Sequence, residues 1–360
     1  MTINVFIVDD SATARTALRL ILETSDDINV IGVASNPLIA LKRMSKLWPD
    51  VIISDIEMPE MNGIEFLQYI QRNRPTPFIV FSNHTGSSAV TSVEALFKGA
   101  LDIIPKPNFN CSESLDETSL NVLNAIRAAA RLEVKHQPVI ELPDIGTKAQ
   151  KPERRIAAER PVRTGLQLPR DKYSVIAIGS STGGTTIIEQ ILSAMPVNAP
   201  GILIVQHMPE LFTKAFANRI NRFCRIDVRE AENGDVLSAG MALIAPGGKH
   251  MILSGHSAKY SVKVFDGEYV NRHKPSVDVL FNSVAEIARR DALGMILTGM
   301  GKDGAKGLLN MKNAGADTIA QSADDCAVYG MPKAAKAMGA VDMELSAAEI
   351  ATLVTRLREQ

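Results

Sequence analysis

Twice along its 360 residues this chain alternates short, β-branched apolar runs with amphipathic stretches, and that alternation limits its fold more than any other feature. In the first 110 residues, the runs at 4–8, 28–34, 51–54, 78–81 and 101–104 read as strands. The stretches between them, 12–22, 38–47, 64–71 and 90–97, carry apolar residues at helical spacing, and 119–134 adds a closing helix. Five strands with intervening helices predict a parallel, doubly wound sheet. From residue 171 the pattern returns, with strands at 174–178, 201–205, 241–245, 294–297 and 317–320 and helices at 185–195, 212–222, 277–289 and 305–313. The run 260–265 reads as an added antiparallel strand, and 351–360 as a short amphipathic helix. The fold class is therefore α/β, with two parallel-sheet domains at 1–134 and 171–360.

The segment between them, 135–170, differs in kind. It holds five prolines, and eight Lys and Arg against four acids, and it loses apolar periodicity. That composition predicts an extended, solvated linker.

Composition removes several classes of function. No apolar run approaches the ~18 residues of a membrane span, so no direct membrane insertion is expected. The chain opens on an apolar strand followed by two aspartates, unlike a signal peptide. Cys111, Cys224 and Cys326 lie far apart with no Cys-x-x-Cys, which suits reduced thiols and a cytoplasmic location. The formal net charge of −1 offers no basic field for nucleic acid.

In a parallel sheet, ligands bind beyond the carboxyl ends of the strands. In the first domain those ends carry Asp9 and Asp10, then Asp55, Ser82 and Lys106. Clustered carboxylates repel unless a cation joins them, and hard oxygen ligands favour Mg²⁺. A lysine beside them is placed to pair with a phosphoryl group. Any one of the acids could be a helix cap, but capping does not account for all five positions.

The second domain opens on Gly179-Ser180-Ser181-Thr182-Gly183-Gly184, between a predicted strand and a predicted helix. Such a Gly-x-Ser-x-Gly turn presents a serine hydroxyl on a sharp bend, beside the free N–H groups of a helix start. A Gly/Ser-rich phosphate-binding turn begins the same way. A nucleophilic serine needs a base. Of the four histidines in this half, His207 follows a predicted strand and shares the edge with Ser181, whereas His250, His256 and His273 lack that placement. Asp303, in Leu297-Thr298-Gly299-Met300-Gly301-Lys302-Asp303-Gly304, supplies an acceptor for the second ring nitrogen. The rival reading of that turn is a dinucleotide fingerprint, Gly299-x-Gly301-x-x-Gly304, with Asp317 and Asp324 downstream. It puts a carboxylate where a pyrophosphate should lie.

These motifs also carry a family resemblance. Val8-Asp9-Asp10-Ser11, Ser54-Asp55-Ile56-Glu57-Met58-Pro59 with Asn62-Gly63, Ser82 and Lys106-Pro107 resemble a response-regulator receiver, a flavodoxin-like fold. The resemblance implies that Asp55 accepts a phosphoryl group from a histidine kinase. Asp9, Asp10, Asp55 and the Glu57 carbonyl would hold Mg²⁺, Ser82 and Lys106 would contact the phosphoryl group, and Lys106–Pro107 would be cis. Ile103 departs from the aromatic residue that many receivers carry there. The second half resembles the Rossmann-like catalytic domain of the CheB methylesterases. The matching stretches are 178–184, Val205-Gln206-His207-Met208-Pro209, 244–250, 273–281 and 297–304. This resemblance implies hydrolysis of glutamate methyl esters on chemoreceptors, and deamidation of receptor glutamines, by Ser181, His207 and Asp303. The oxyanion would be held by the backbone N–H groups of Thr182 and Met300, with no cofactor for the esterase step. It also implies inhibition by an unphosphorylated receiver packed over the active-site edge. A nucleotide-binding or non-catalytic docking module under receiver control is the alternative.

Overall fold

The computed structural model describes residues 2–83, 86–106, 112–132, 172–257 and 259–357. The linker expected at 135–170 and the Lys106–Pro107 bond lie outside the described residues.

The first half contains strands β1 (Ile3–Val8), β2 (Ile28–Ala34), β3 (Val51–Ser54), β4 (Phe78–Ser82) and β5 (Asp102–Pro105). Its helices are α1 (Ala12–Glu23), α2 (Pro37–Met44), α3 (Gly63–Asn73), α4 (Gly86–Phe97) and α5 (Ser112–Ala129). The strands form one parallel sheet in the order β2-β1-β3-β4-β5, the expected doubly wound arrangement. Strands β3 and β4 are buried at every position, which is why they read as unbroken apolar runs rather than alternating ones. Asn62 caps α3 in a reciprocal box with Glu65 and so fixes the loop that leaves Asp55.

Two helices end earlier than their periodicity suggests. The helix expected to reach Leu47 stops at Met44; Leu47 is 57% exposed, so extending the helix would bury nothing. The closing helix ends at Ala129, where Arg131 and Leu132 bond back three residues instead of four and tighten the last turn.

The second half contains β6 (Val175–Ser180), α6 (Gly184–Ser193), β7 (Gly201–Gln206), α7 (Phe212–Asn221), β8 (Asp227–Glu230), β9 (Met241–Ile244), β10 (His250–His256) and β11 (Lys259–Phe265). It continues through α8 (Val277–Ile287), β12 (Ala292–Ile296), α9 (Ala305–Asn313), β13 (Asp317–Gln321), α10 (Met331–Ala337), β14 (Met343–Leu345) and α11 (Ala347–Val354). Seven strands form a parallel sheet, β14-β13-β12-β6-β7-β9-β8, and β10 pairs antiparallel with β11. Strands β8 and β14 had no signal in the sequence. They are the outer strands, four and three residues long, and edge strands tolerate polar residues. The last helix begins at Ala347, before the expected 351, because Ser346 and Glu349 form a capping box.

The chain runs from β6 outwards through β7 and later returns to β12 on the other side of β6. The crevice at that reversal is the expected ligand site of such a sheet. The residues following β6, β7 and β12 are Ser181, His207 and the loop to Asp303.

The two domains share a buried surface. One apolar cluster continues from Phe66, Phe78, Val93 and Leu96 of the first into Ile188, Phe212 and Phe216 of the second. Each such side chain contributes ~1.5–3 kcal/mol when fully buried. The Phe97 and Phe216 rings stack at 6.1 Å, and the Arg219 guanidinium lies 4.0 Å from the Phe97 centroid and donates to Glu94 at 2.7 Å. Among the described residues, no helix is long and apolar enough to cross a membrane.

Candidate functional sites

The expected serine turn forms as strand, bend and helix. Strand β6 ends at Ser180, Gly183 adopts φ +78, and α6 starts at Gly184. Ser181 is pinned by its backbone: its N–H donates to Thr298 O at 3.0 Å, and its carbonyl accepts from Gln206 Nε2 at 2.8 Å. Gly299 allows β12 and its loop to approach. A Cβ there would stand 2.7 Å from Ser181 Cβ and 2.4 Å from Met331 Sδ. Among the described residues, no acceptor takes the N–H of Thr182 or of Met300, so both remain available to a ligand.

His207 follows β7, and its own N–H donates to Ser180 O at 2.9 Å. Its Nε2 lies 2.8 Å from Asp303 Oδ2. A carboxylate there selects the Nε2–H tautomer and leaves Nδ1 as the basic nitrogen. Nδ1 is buried and has no partner among the described residues. Ser181 and His207 line the same small cavity.

Asp303 is held more firmly than sequence suggested. Ser276 Oγ and Asn271 Nδ2 donate to Oδ1 at 2.8 and 2.7 Å, and the Val277 N–H donates to Oδ2 at 2.7 Å. Val277 opens α8, so the carboxylate also sits at a helix N-terminus. Burial alone would raise its pKa; the bonds from His207, Asn271 and Ser276 reverse that and hold it well below the usual carboxylate range. This bonding also weakens the dinucleotide reading of 299–304, because the carboxylate that occupies the turn is already committed to His207 and α8.

Sequence reasoning passed over His273. Its ring lies parallel to that of His207, with centroids 3.7 Å apart and planes 7° apart. It also passed over Asn271, which carries φ +53 and bridges Asp303 to Asp278. A polar stretch between β11 and α8 offers no periodicity from which either contact could be read.

In the first domain the strand-end residues converge as expected. Asp9, Asp10 and Asp55 present oxygens within 4.8 Å of one another. Lys106 Nζ lies 2.6 Å from Asp55 Oδ2 and 2.8 Å from Asp9 Oδ2. Burial raises the Asp9 pKa despite the lysine. Burial would lower that of Lys106, but Asp55 and Asp9 outweigh it and raise it. Three carboxylates facing one lysine leave negative charge that a hard divalent cation would neutralise, so this donor set fits Mg²⁺. The Glu57 N–H donates to Asp55 Oδ1 at 3.3 Å, and its side chain accepts from Ser88 at 2.8 Å. Ser82 is buried and accepts from Ser92 Oγ at 2.7 Å.

The edge of the first domain lines the cavity of the half-buried serine. Leu96, Asp102 and Ile103 close the cavity over Ser181, Gln206 and His207, leaving about 10 Å³, roughly room for one water. Thr182 Oγ1 donates to Asp102 Oδ2 at 2.7 Å. Burial raises the Asp102 pKa, opposed by Thr182, the Ile103 N–H and His207.

A flavodoxin-like domain with a strand-end cluster of carboxylates and a lysine, packed on a second α/β domain, is the arrangement of a response regulator joined to its output domain in one chain. Residues 5–114 match the response regulator receiver domain. The chain belongs to the CheB methylesterase family, whose model matches residues 176–354. A protein-glutamate methylesterase/protein-glutamine glutaminase of Hahella chejuensis is 48% identical over 96% of this chain and 93% of its own. One from Chromobacterium violaceum is 44% identical over 99% and 100%. The solved CheB methylesterase catalytic domain of Thermotoga maritima is 36% identical, covering 51% of this chain and 97% of its own, with a TM-score of 0.49.

Proposed function

We propose that this protein hydrolyses γ-glutamyl methyl esters on chemoreceptors, and deamidates receptor glutamines, under control of receiver phosphorylation. The observation that carries the reading is the His207–Asp303 bond at 2.8 Å, with His207 lining the cavity that Ser181 also lines. The high identity to relatives named for both activities over nearly the whole chain supports it.

In the proposed reaction Ser181 Oγ attacks the ester carbonyl and His207 Nδ1 takes its proton. Asp303 fixes the tautomer and stabilises the imidazolium. The N–H groups of Thr182 and Met300 hold the oxyanion; losing one such donor typically costs ~10²–10³ in rate. His207 returns the proton to the leaving methoxide, methanol departs, and water hydrolyses the glutamyl-serine ester by the same steps. With a glutamine, ammonia leaves in place of methanol.

The proposed domains are a receiver at 1–134, a linker at 135–170 and a catalytic domain at 171–360. Asp55 takes the phosphoryl group from a histidine kinase. Mg²⁺, held by Asp9, Asp10, Asp55 and the Glu57 carbonyl, would offset the charge of the incoming phosphoryl group. Ser82 and Lys106 contact its oxygens. Leu96, Asp102 and Ile103 of the receiver line the cavity of Ser181 and His207, so in this reading the receiver edge moves before a glutamyl ester reaches the serine. Phosphorylation has to favour the open state, and a 100-fold gain corresponds to about 2.7 kcal/mol.

The test is methanol release from methylated receptor membranes, with and without a small phosphodonor. Release that Ser181→Ala abolishes, and that rises with phosphodonor only when Asp55 is intact, is expected. Release that survives Ser181→Ala overturns the nucleophile; release indifferent to phosphodonor overturns the switch.

A further inference from the structure

We propose that His273 is a positioning residue for the base: its ring, stacked flat on His207, holds the plane that aims Nδ1 at Ser181 and offers a π face to the imidazolium that forms there. The inference rests on the hydrolase reading above.

The bond to Asp303 grips His207 at one edge. A single in-line hydrogen bond leaves the ring free to roll about its own axis, and rolling would change where the unpartnered Nδ1 points within the cavity shared with Ser181. A parallel ring with its centroid 3.7 Å away removes that freedom. Edge and face are held by one assembly. The turn carrying His273 is closed by reciprocal backbone bonds with Val270, and Asn271 and Arg272 within it adopt φ +53 and +67. Two adjacent non-glycine residues in the left-handed region are held there only by surrounding contacts. Asn271 Nδ2 supplies them, donating at 2.7 Å to both Asp303 Oδ1 and Asp278 Oδ2. The turn that presents the stacking ring is thereby tied to the carboxylate that orients the base.

His273 does not earn its place by hydrogen bonding through Nδ1, which is buried and has no partner among the described residues. Its charge state suits stacking. Burial first, then repulsion from His207, pulls its pKa down to about 4, against Asp303 and a backbone bond at Asn271. At neutral pH the ring is therefore uncharged. A neutral aromatic face attracts a cation, whereas a second imidazolium would repel it. The other titratable groups beside the pair are Asp303 at the edge of His207, held ionised by its donors, and the receiver's Asp102, whose pKa burial raises. The stack strengthens as His207 gains its proton, and such an interaction accelerates the step.

The full chain with saturating phosphodonor tests this. His273→Ala is expected to lower kcat on the order of 10-fold, leave KM within about twofold, and move the acid limb of kcat/KM to lower pH, because the imidazolium loses its partner. His273→Phe keeps a stacking face and removes the titratable group; it should recover kcat to within about threefold and return the limb. A His273→Ala protein with unchanged kcat and limb overturns the proposal, as does a His273→Phe protein no faster than His273→Ala. The His207 ring resonances, titrated in the Ser181→Ala background, give a readout free of turnover. Their midpoint should fall with His273→Ala, and an unmoved midpoint overturns the proposal. Absence of methanol release from the wild type would instead sink the hydrolase reading, with the ring titration still judging the stack.

Discussion

Asp9 and Asp303 are both buried aspartates beyond the ends of parallel strands, and their surroundings push them in opposite directions. Asp9 shares one lysine with Asp55, and its pKa is raised by burial. Asp303 is as deeply buried, yet two side-chain donors, a helix N-terminus and His207 hold it ionised. Burial alone does not decide what a carboxylate does; the donors around it do. The under-neutralised cluster suits a divalent cation and a phosphoryl group. The fully bonded one suits orienting an imidazole.

The sharpest way to break that comparison is to remove the charge of Asp303 while keeping its shape. Asp303→Asn should lower kcat by ~10³–10⁴, since the amide favours the wrong tautomer of His207. Methanol release at saturating phosphodonor checks it, and a loss under tenfold would mean that Asp303 does not orient the base. Next in size, Gly299→Ala forces a Cβ to 2.7 Å from Ser181 Cβ. Displacement of Ser181, the proposed nucleophile, by about 1 Å predicts a loss on the order of 10² in kcat, measured in the same assay with a thermal melt to report folding.

Asp102 contrasts with both acids, because its partner lies in the other domain. Asp102→Ala removes the bond to Thr182 and should raise activity without phosphodonor by roughly 2–10-fold, the worth of one hydrogen bond. Activity with phosphodonor should change little, and equal effects under both conditions would detach Asp102 from the closed state.

The smallest effect is on stability, and it has opposite signs at the two sites. Asp303 is depressed in the folded state, so its contribution is present above the unfolded carboxyl pKa near ~3.9 and is lost as pH falls through the folded value. Asp9 is raised, so the folded state binds the extra proton and stability falls as pH climbs through the carboxyl range. Asp9→Asn should therefore raise the urea midpoint at pH 7 in EDTA, corresponding to an unfolding free energy higher by about 1 kcal/mol, while weakening any stabilisation by Mg²⁺. A lower midpoint would show that its ion pair with Lys106 outweighs burial.

Both sheets, most helices and the strand-end residues could be read from periodicity, and the failures have a common cause. Strand β8 is a short, largely polar edge, and β14 is a three-residue edge whose apolar face is only Met343 and Leu345, too short to show a period. His273, Asn271 and Ser276 act on Asp303 or His207 from a polar segment whose local pattern carries no trace of the contact. Glu57 was named for its carbonyl alone, yet its side chain is tied to Ser88.

Sequence by itself determined that this chain builds two parallel α/β sheets, with Asp9, Asp10, Asp55, Ser82 and Lys106 on one edge and Ser181, His207 and Asp303 on the other. Helix and strand periods are local, and strand ends in such sheets converge by topology. Tertiary structure alone decided how His207 is held and what lies beside it. The ring of His273 and the carboxylate of Asp102 meet the site across long separations, 80 residues for Asp102 and Thr182. Such contacts follow from packing between elements, and no spacing in the chain encodes them.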